Sequence, residues 1–339
     1  MRQVAVMGAG GWGTALSIVA ARAGHEVRLW SRNRAVVEGI TRERVNSAYL
    51  ATHSIPANVS ATFDVAEALR GAEVVILAAP SHATRELLRS ISGAVGEGMV
   101  FVSATKGIEV ETGKRVSEIV SDELGGRLSN VNFVSLSGPS FAQEVAAGQP
   151  TAVVAASENE DLSRAVQADL SAQNFRVYTN RDVVGTELGG ALKNVMALAA
   201  GMLAGLGFGT NSAAALITRG LAEMTRLALA EGAHVETLTG LAGMGDLVLT
   251  CTGGLSRNRH VGLELGRGRT LADVLAGMSE VAEGVRTTRA VKLLAERRGV
   301  EMPITDEVYA VLYEGRGVAE ACAGLMSRPL KGEFEGIKF

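Results

Sequence analysis

Apolar residues follow two different rhythms along this chain. Through the first half they gather in short β-branched runs, Val4–Met7, Val27–Trp30, Val74–Ala79, Met99–Ser103, Val131–Leu136 and Thr151–Ala155, bounded by glycine, serine or proline. Several are apolar at consecutive positions, as in strands covered on both faces, and helical patterns separate most of them. This predicts an α/β domain with a parallel, doubly wound sheet. After about Tyr178 the strand-like runs stop, and stretches such as Asn211–Glu231 and Glu283–Arg298 carry apolar residues at three- and four-residue spacing. The second half is therefore expected to be all-α. The expected division is residues 1–180 and 181–339, meeting at a packed junction near 178–185, with the site in a cleft between the halves.

The length agrees, since 339 residues at roughly 150 per domain give about two domains. The 33 basic and 36 acidic residues nearly cancel at −3, which removes the broad positive field needed for nucleic acid or an anionic membrane surface. Any anionic partner must be gripped locally. Two cysteines, Cys251 and Cys322, are too few for a disulfide framework and lack zinc-site spacing, and the five histidines are scattered. A reducing compartment and no metal follow. The uncharged stretch Gln3–Ala21 resembles a signal peptide only until Gly8, Gly10, Gly11 and Gly13 are counted, because they break such a helix. The run Val195–Phe208 falls short of the about 20 residues needed to span a bilayer. A cytoplasmic protein is expected.

The glycines have a use where they stand. GAGGWG at 8–13 follows one predicted strand and opens a helix, and a second strand comes after Gly24. In that context Gly8 permits the tight turn, Gly10 lets backbone approach a pyrophosphate and Gly13 allows close helix–sheet packing, with the helix N-terminus attracting the negative charge. The alternative is a glycine-rich turn without a ligand. At the end of the second strand, Ser31-Arg32-Asn33-Arg34 offers no acid for a ribose 2′-hydroxyl. A guanidinium there suits the 2′-phosphate of NADPH, unless the segment is a solvated basic loop.

Other residues suggest chemistry. Lys106 lies just past the strand Met99–Ser103, at the sheet edge where ligands bind, and reads as a phosphate or carbonyl partner or as a solvated lysine. Ser140, after Gly138-Pro139, forms a capping box with Gln143 ahead of a helix over Phe141–Ala147. Lys193 sits in a run of small and apolar residues, and Asp246 stands alone among glycines and apolar residues with Thr250 four positions on. They read either as a general acid–base group with its support or as a structural ion pair. The carboxylate predicts a raised Lys193 pKa, which suits protonation of an alkoxide in a reduction. Ser256 is placed to cap a helix with Arg257 and Asn258 facing outward as a phosphate grip, or as an ordinary exposed helix start.

Together these residues resemble one family, the NAD(P)-dependent glycerol-3-phosphate dehydrogenases of the bacterial type. GAGGWGTAL at 8–16, ATKGIE at 104–109, SGPSFAQEVAAGQPTAV at 137–153, ELGGALKNV at 187–195, GFGTNSAAALITRGLAEM at 207–224, GMGDLVLTCT at 243–252, SRNR at 256–259 and VAEGVRTT at 281–288 look like its signatures, in its order. The resemblance implies an N-terminal Rossmann-like doubly wound sheet followed by an all-α C-terminal domain. It implies reversible NADPH- or NADH-dependent reduction of dihydroxyacetone phosphate to sn-glycerol 3-phosphate for glycerophospholipid synthesis. The sequence itself does not reveal the oligomeric state, for which a homodimer is one candidate. By motif position Lys193 is the proton donor or acceptor, supported by Asn194, Asp246 and Thr250. Lys106, Gly138, Ser140, Lys193, Asp246, Ser256, Arg257 and Asn258 hold substrate. Gly8, Gly10, Gly11, Trp12, Gly13, Arg32, Asn33, Tyr49, Lys106, Ala142, Arg257, Val281 and Glu283 meet the cofactor. The chain departs from the pattern at Gly11, where serine is frequent, and at Ala204 and Thr210, where acids are common. Two rivals remain at this point, a related dehydrogenase of a 3-hydroxy acid and a non-catalytic dinucleotide sensor.

Overall fold

The computed structural model describes residues 1–278, 281–330, 332 and 333, so the end of the expected second domain lies outside the described residues. The chain forms two compact units, one of Met1–Thr105 with Val116–Val183, the other of Lys106–Arg115 with the described residues from Val184 onward.

The first unit is built on β1 (Gln3–Met7), β2 (Glu26–Trp30), the short pair β3 (Val45–Asn46) and β4 (Leu50–Ser54), β5 (Val59–Thr62), β6 (Val74–Leu77), β7 (Val100–Ser103), β8 (Asn132–Ser137), β9 (Thr151–Ala156) and β10 (Phe175–Asn180). Eight of them make one sheet in the order β10-β9-β8-β7-β6-β1-β2-β5. Its central strands are apolar at successive positions because both faces are covered. Val4, Val6, Ile76 and Val102 pack into one apolar cluster, while Ala5, Met7, Val75, Leu77 and Phe101 pack into another. The unforeseen strands β5 and β10 are the two edges. In β10 buried Phe175 and Val177 alternate with exposed Arg176 and Tyr178, so a search for continuous apolar runs passes over it.

The sheet is parallel except where β8 meets β9, which run antiparallel, with β10 parallel to β9. The connection explains the reversal. A parallel return must travel back along six-residue β8, about 20 Å, whereas the five-residue helix Ala142–Ala146 rises only about 7.5 Å.

The second unit is helical, and its core is organised around the helix Val183–Gly205, whose Leu188, Leu192, Val195, Met196 and Leu198 are fully buried. This helix is long and apolar enough to cross a membrane by length and composition, but 83% of its most apolar window is buried inside the protein. It is a core helix carrying one ammonium group at Lys193.

Candidate functional site

In the first unit β1 runs straight into the glycine-rich turn. Gly8 has φ 127°, and a side chain there would place Cβ 2.8 Å from the Ala78 carbonyl oxygen, while one on Gly13 would overlap the carbonyl of Gly8. Gly10 borders open space. The helix Gly11–Arg22 starts at Gly10 with no side chain capping it. The turn thus presents an uncapped helix N-terminus beside open space, and among the described residues the buried Trp12 Nε1 has no hydrogen-bond partner. This set fits a dinucleotide pyrophosphate. Trp12, Tyr49 and Ala142 all pack, partly buried, against the apolar cluster beneath the turn. Arg32 is exposed. Asn33 has a local task, its Oδ1 accepting the Ala35 N–H at 3.0 Å as the cap of the helix Arg34–Glu43.

Asn46 escapes the sequence reading. Its Nδ2 donates to the Ala9 carbonyl at 3.0 Å and to Thr14 Oγ1 at 2.8 Å, and the residue is 1% exposed. It ties β3 to the glycine turn, and no local spacing announces it, because the pairing is fixed only when the sheet closes. Asn46→Ala is expected to weaken NADPH binding about tenfold, the equivalent of one lost buried hydrogen bond. Titration of NADPH fluorescence measures this.

The expected capping box at Ser140 is not formed. Its Oγ donates to the Gly138 carbonyl at 2.9 Å, and the helix begins at Ala142 after Phe141 without a side-chain cap. The hydroxyl engages the turn behind it, so the cap geometry is lost.

The second unit assembles the charged cluster. Close approach of Gly189 to Ala242, where a Cβ would lie 2.6 Å from the carbonyl oxygen, brings the Lys193 helix against the π-helical stretch Leu241–Gly245, which leads directly into the helix Asp246–Thr252. Lys193 Nζ donates to Asp246 Oδ1 and to Thr250 Oγ1, the latter at 2.8 Å. Thr250 Oγ1 itself donates to the Asp246 carbonyl at 2.6 Å. Lys106 Nζ takes the other carboxylate oxygen, Oδ2, at 2.7 Å. One carboxylate, 0% exposed, therefore holds two ammonium groups. The segment Lys106–Arg115 is also held at its far end, where Arg115 pairs with Glu187 at 3.0 Å.

This arrangement reverses the expected sign for Lys193. Burial and the second ammonium, Lys106, outweigh the pull of Asp246 and bring the amine down to about 8. Burial tends to raise Asp246 too, but the two ammonium groups prevail and hold it below the usual carboxylate range. The neighbouring Cys251 thiol is pushed up to about 12 by the same apolar surroundings.

Ser256 caps the helix Arg257–Gly266, its Oγ accepting the Arg259 N–H at 3.2 Å. Arg257 is exposed. Asn258 does not face outward as expected. It is 7% exposed, with Oδ1 accepting the Gly284 N–H and Nδ2 donating to Asn194 Oδ1, both at 2.9 Å. The reason is the close packing of three helices, which turns this amide inward. Val281 is 40% exposed, and Glu283 opens the helix Glu283–Arg298.

Comparison with known proteins agrees across both units. Residues 3–163 match the N-terminal model, and residues 182–323 the C-terminal model, of NAD-dependent glycerol-3-phosphate dehydrogenase. The glycerol-3-phosphate dehydrogenase [NAD(P)+] of Koribacter versatilis is 56% identical over 97% of this chain and 98% of its own, and that of Nitratidesulfovibrio vulgaris is 51% identical over 98% and 100%. The crystal structure of glycerol-3-phosphate dehydrogenase from Coxiella burnetii superposes with a TM-score of 0.92 at 41% identity, covering 96% of this chain and 99% of that one. Two units with a glycine-rich dinucleotide turn and a buried lysine–aspartate cluster, matched over nearly their whole length, place this chain in the NAD-dependent glycerol-3-phosphate dehydrogenase family.

Proposed function

We propose that this chain catalyses the reversible reduction of dihydroxyacetone phosphate to sn-glycerol 3-phosphate, with NADPH or NADH as reductant, and thereby supplies glycerophospholipid synthesis. The observation that carries the reading is the proton inventory of Lys193. An ammonium has three protons. Asp246 and Thr250 take two, and the third is left for a substrate oxygen.

The glycine turn would hold NAD(P)H, which would supply the hydride. As the carbonyl carbon accepts it, the oxygen becomes an alkoxide and Lys193 donates the third proton to it. Asp246 keeps the donor oriented and neutralises part of the paired positive charge, while Lys106 favours the developing negative oxygen. Arg257, exposed at a helix start, is proposed to grip the substrate phosphate. In the first unit Gly138 and Ser140 are proposed to contribute to substrate binding. Arg32 is proposed to favour NADPH through its 2′-phosphate. Both cysteines are free thiols, in keeping with a reducing compartment such as the cytoplasm.

The test is loss of nicotinamide absorbance on mixing the protein with dihydroxyacetone phosphate and each dinucleotide. Turnover that is far faster with the phosphorylated ketone than with phosphate-free dihydroxyacetone supports the reading, and turnover only with a 3-hydroxy acid pair refutes it. The lowered amine also sets a pH dependence. Reduction needs the charged form, so its kcat is expected to hold below pH about 8 and fall above it, whereas oxidation of glycerol 3-phosphate rises toward a plateau above the same pH. Rate profiles in both directions measure the midpoint.

A further inference from the structure

The amides around Lys106 form a chain. The Gly284 N–H donates to Asn258 Oδ1 at 2.9 Å, Asn258 Nδ2 donates to Asn194 Oδ1 at 2.9 Å, and Asn194 Nδ2 donates to the carbonyls of Lys106 and Gly190, each at 3.3 Å. Asn194 and Asn258 are 5% and 7% exposed, so water does not compete effectively for these bonds. Gly284 is the second residue of its helix. A Cβ there would lie 2.6 Å from the Asn194 carbonyl oxygen, 2.9 Å from Asn258 Oδ1 and 3.0 Å from Leu198 Cδ1. Two of these three atoms belong to the helix that carries Lys193, and one is backbone that cannot swing aside.

We infer that Gly284 is a positioning residue for the reaction: its N–H and its missing side chain lock Asn258 onto Asn194, which holds the backbone of Lys106 in place beside Asp246. The inference rests on the reading that Lys106 and Lys193 act on the substrate carbonyl. Lys106 is then gripped twice, through its carbonyl by Asn194 and through its ammonium by Asp246. Asn258, expected to grip phosphate, has its Oδ1 and one Nδ2 proton committed to this chain.

Gly284→Ala and Asn258→Ala separate the roles when each is assayed with dihydroxyacetone phosphate and with phosphate-free dihydroxyacetone. A positioning role lowers kcat/KM for both substrates by a common factor, about 10² for an ångström-scale displacement. It also raises the pH midpoint of the oxidation, because Asp246 is left to Lys193 alone. A phosphate grip costs Asn258→Ala only the phosphorylated substrate and leaves Gly284→Ala unaffected. Thermal melts confirm folding, with Gly126→Ala, whose Cβ meets open space, as the control expected to keep full activity. Should Gly284→Ala fail to fold, Asn258→Ala decides. The inference is overturned by a folded Gly284→Ala enzyme with wild-type kcat/KM on both substrates, or by an Asn258→Ala loss confined to the phosphorylated one. Absence of wild-type turnover with dihydroxyacetone phosphate would instead refute the proposed function.

Discussion

Asp246→Asn is expected to remove most of the reductase activity near neutral pH and to lower the melting temperature. The carboxylate is fully buried between two ammonium groups, and breaking a buried pair by deleting one partner costs about 3–5 kcal/mol. The cost falls toward the lower end of that range because Lys193, already brought down to about 8 by burial and Lys106, drops further once Asp246 no longer holds it up. The amine then becomes neutral near pH 7 and can no longer donate a proton, so the kcat of reduction is expected to fall about 10²–10³-fold. Oxidation is expected to survive better, with its pH midpoint moved downward. Rates in both directions together with a melt test these outcomes. Equal losses at every pH would show that Asp246 only supports the fold.

The same cluster shows how far single residues speak for themselves. Lys193 and Asp246 are legible because a lone charge in an apolar run requires a partner once the run is buried, and Thr250 because the turn after Asp246 is helical. The glycine turn is legible because backbone contacts leave no room for side chains at Gly8 and Gly13. What depends on closure of the fold is not legible. Lys106 meets Asp246 across 140 positions, and only burial together with that second ammonium turns the Lys193 shift downward. Asn46, Asn258 and Gly284 make their bonds across elements distant in sequence, so no spacing rule finds them. Ser140 shows the converse, a matching local motif whose hydroxyl is engaged elsewhere. At the level of the sheet, apolar runs identify the central strands but pass over β5 and β10. The reversal at β9 follows from a connection too short for a crossover.

The central claim is that one buried amine delivers the proton that completes hydride addition, and single-turnover kinetics of Lys193→Met address it. Methionine keeps the apolar stem in a site that is 6% exposed and leaves Asp246 paired with Lys106, so folding and dinucleotide binding are expected to persist. The enzyme preloaded with NADPH is mixed with saturating dihydroxyacetone phosphate, and nicotinamide absorbance is followed. The account predicts that the hydride-transfer step slows about 10³-fold, within the range of general acid catalysis, while NADPH affinity stays at the wild-type value. A step within a few-fold of wild type would contradict it.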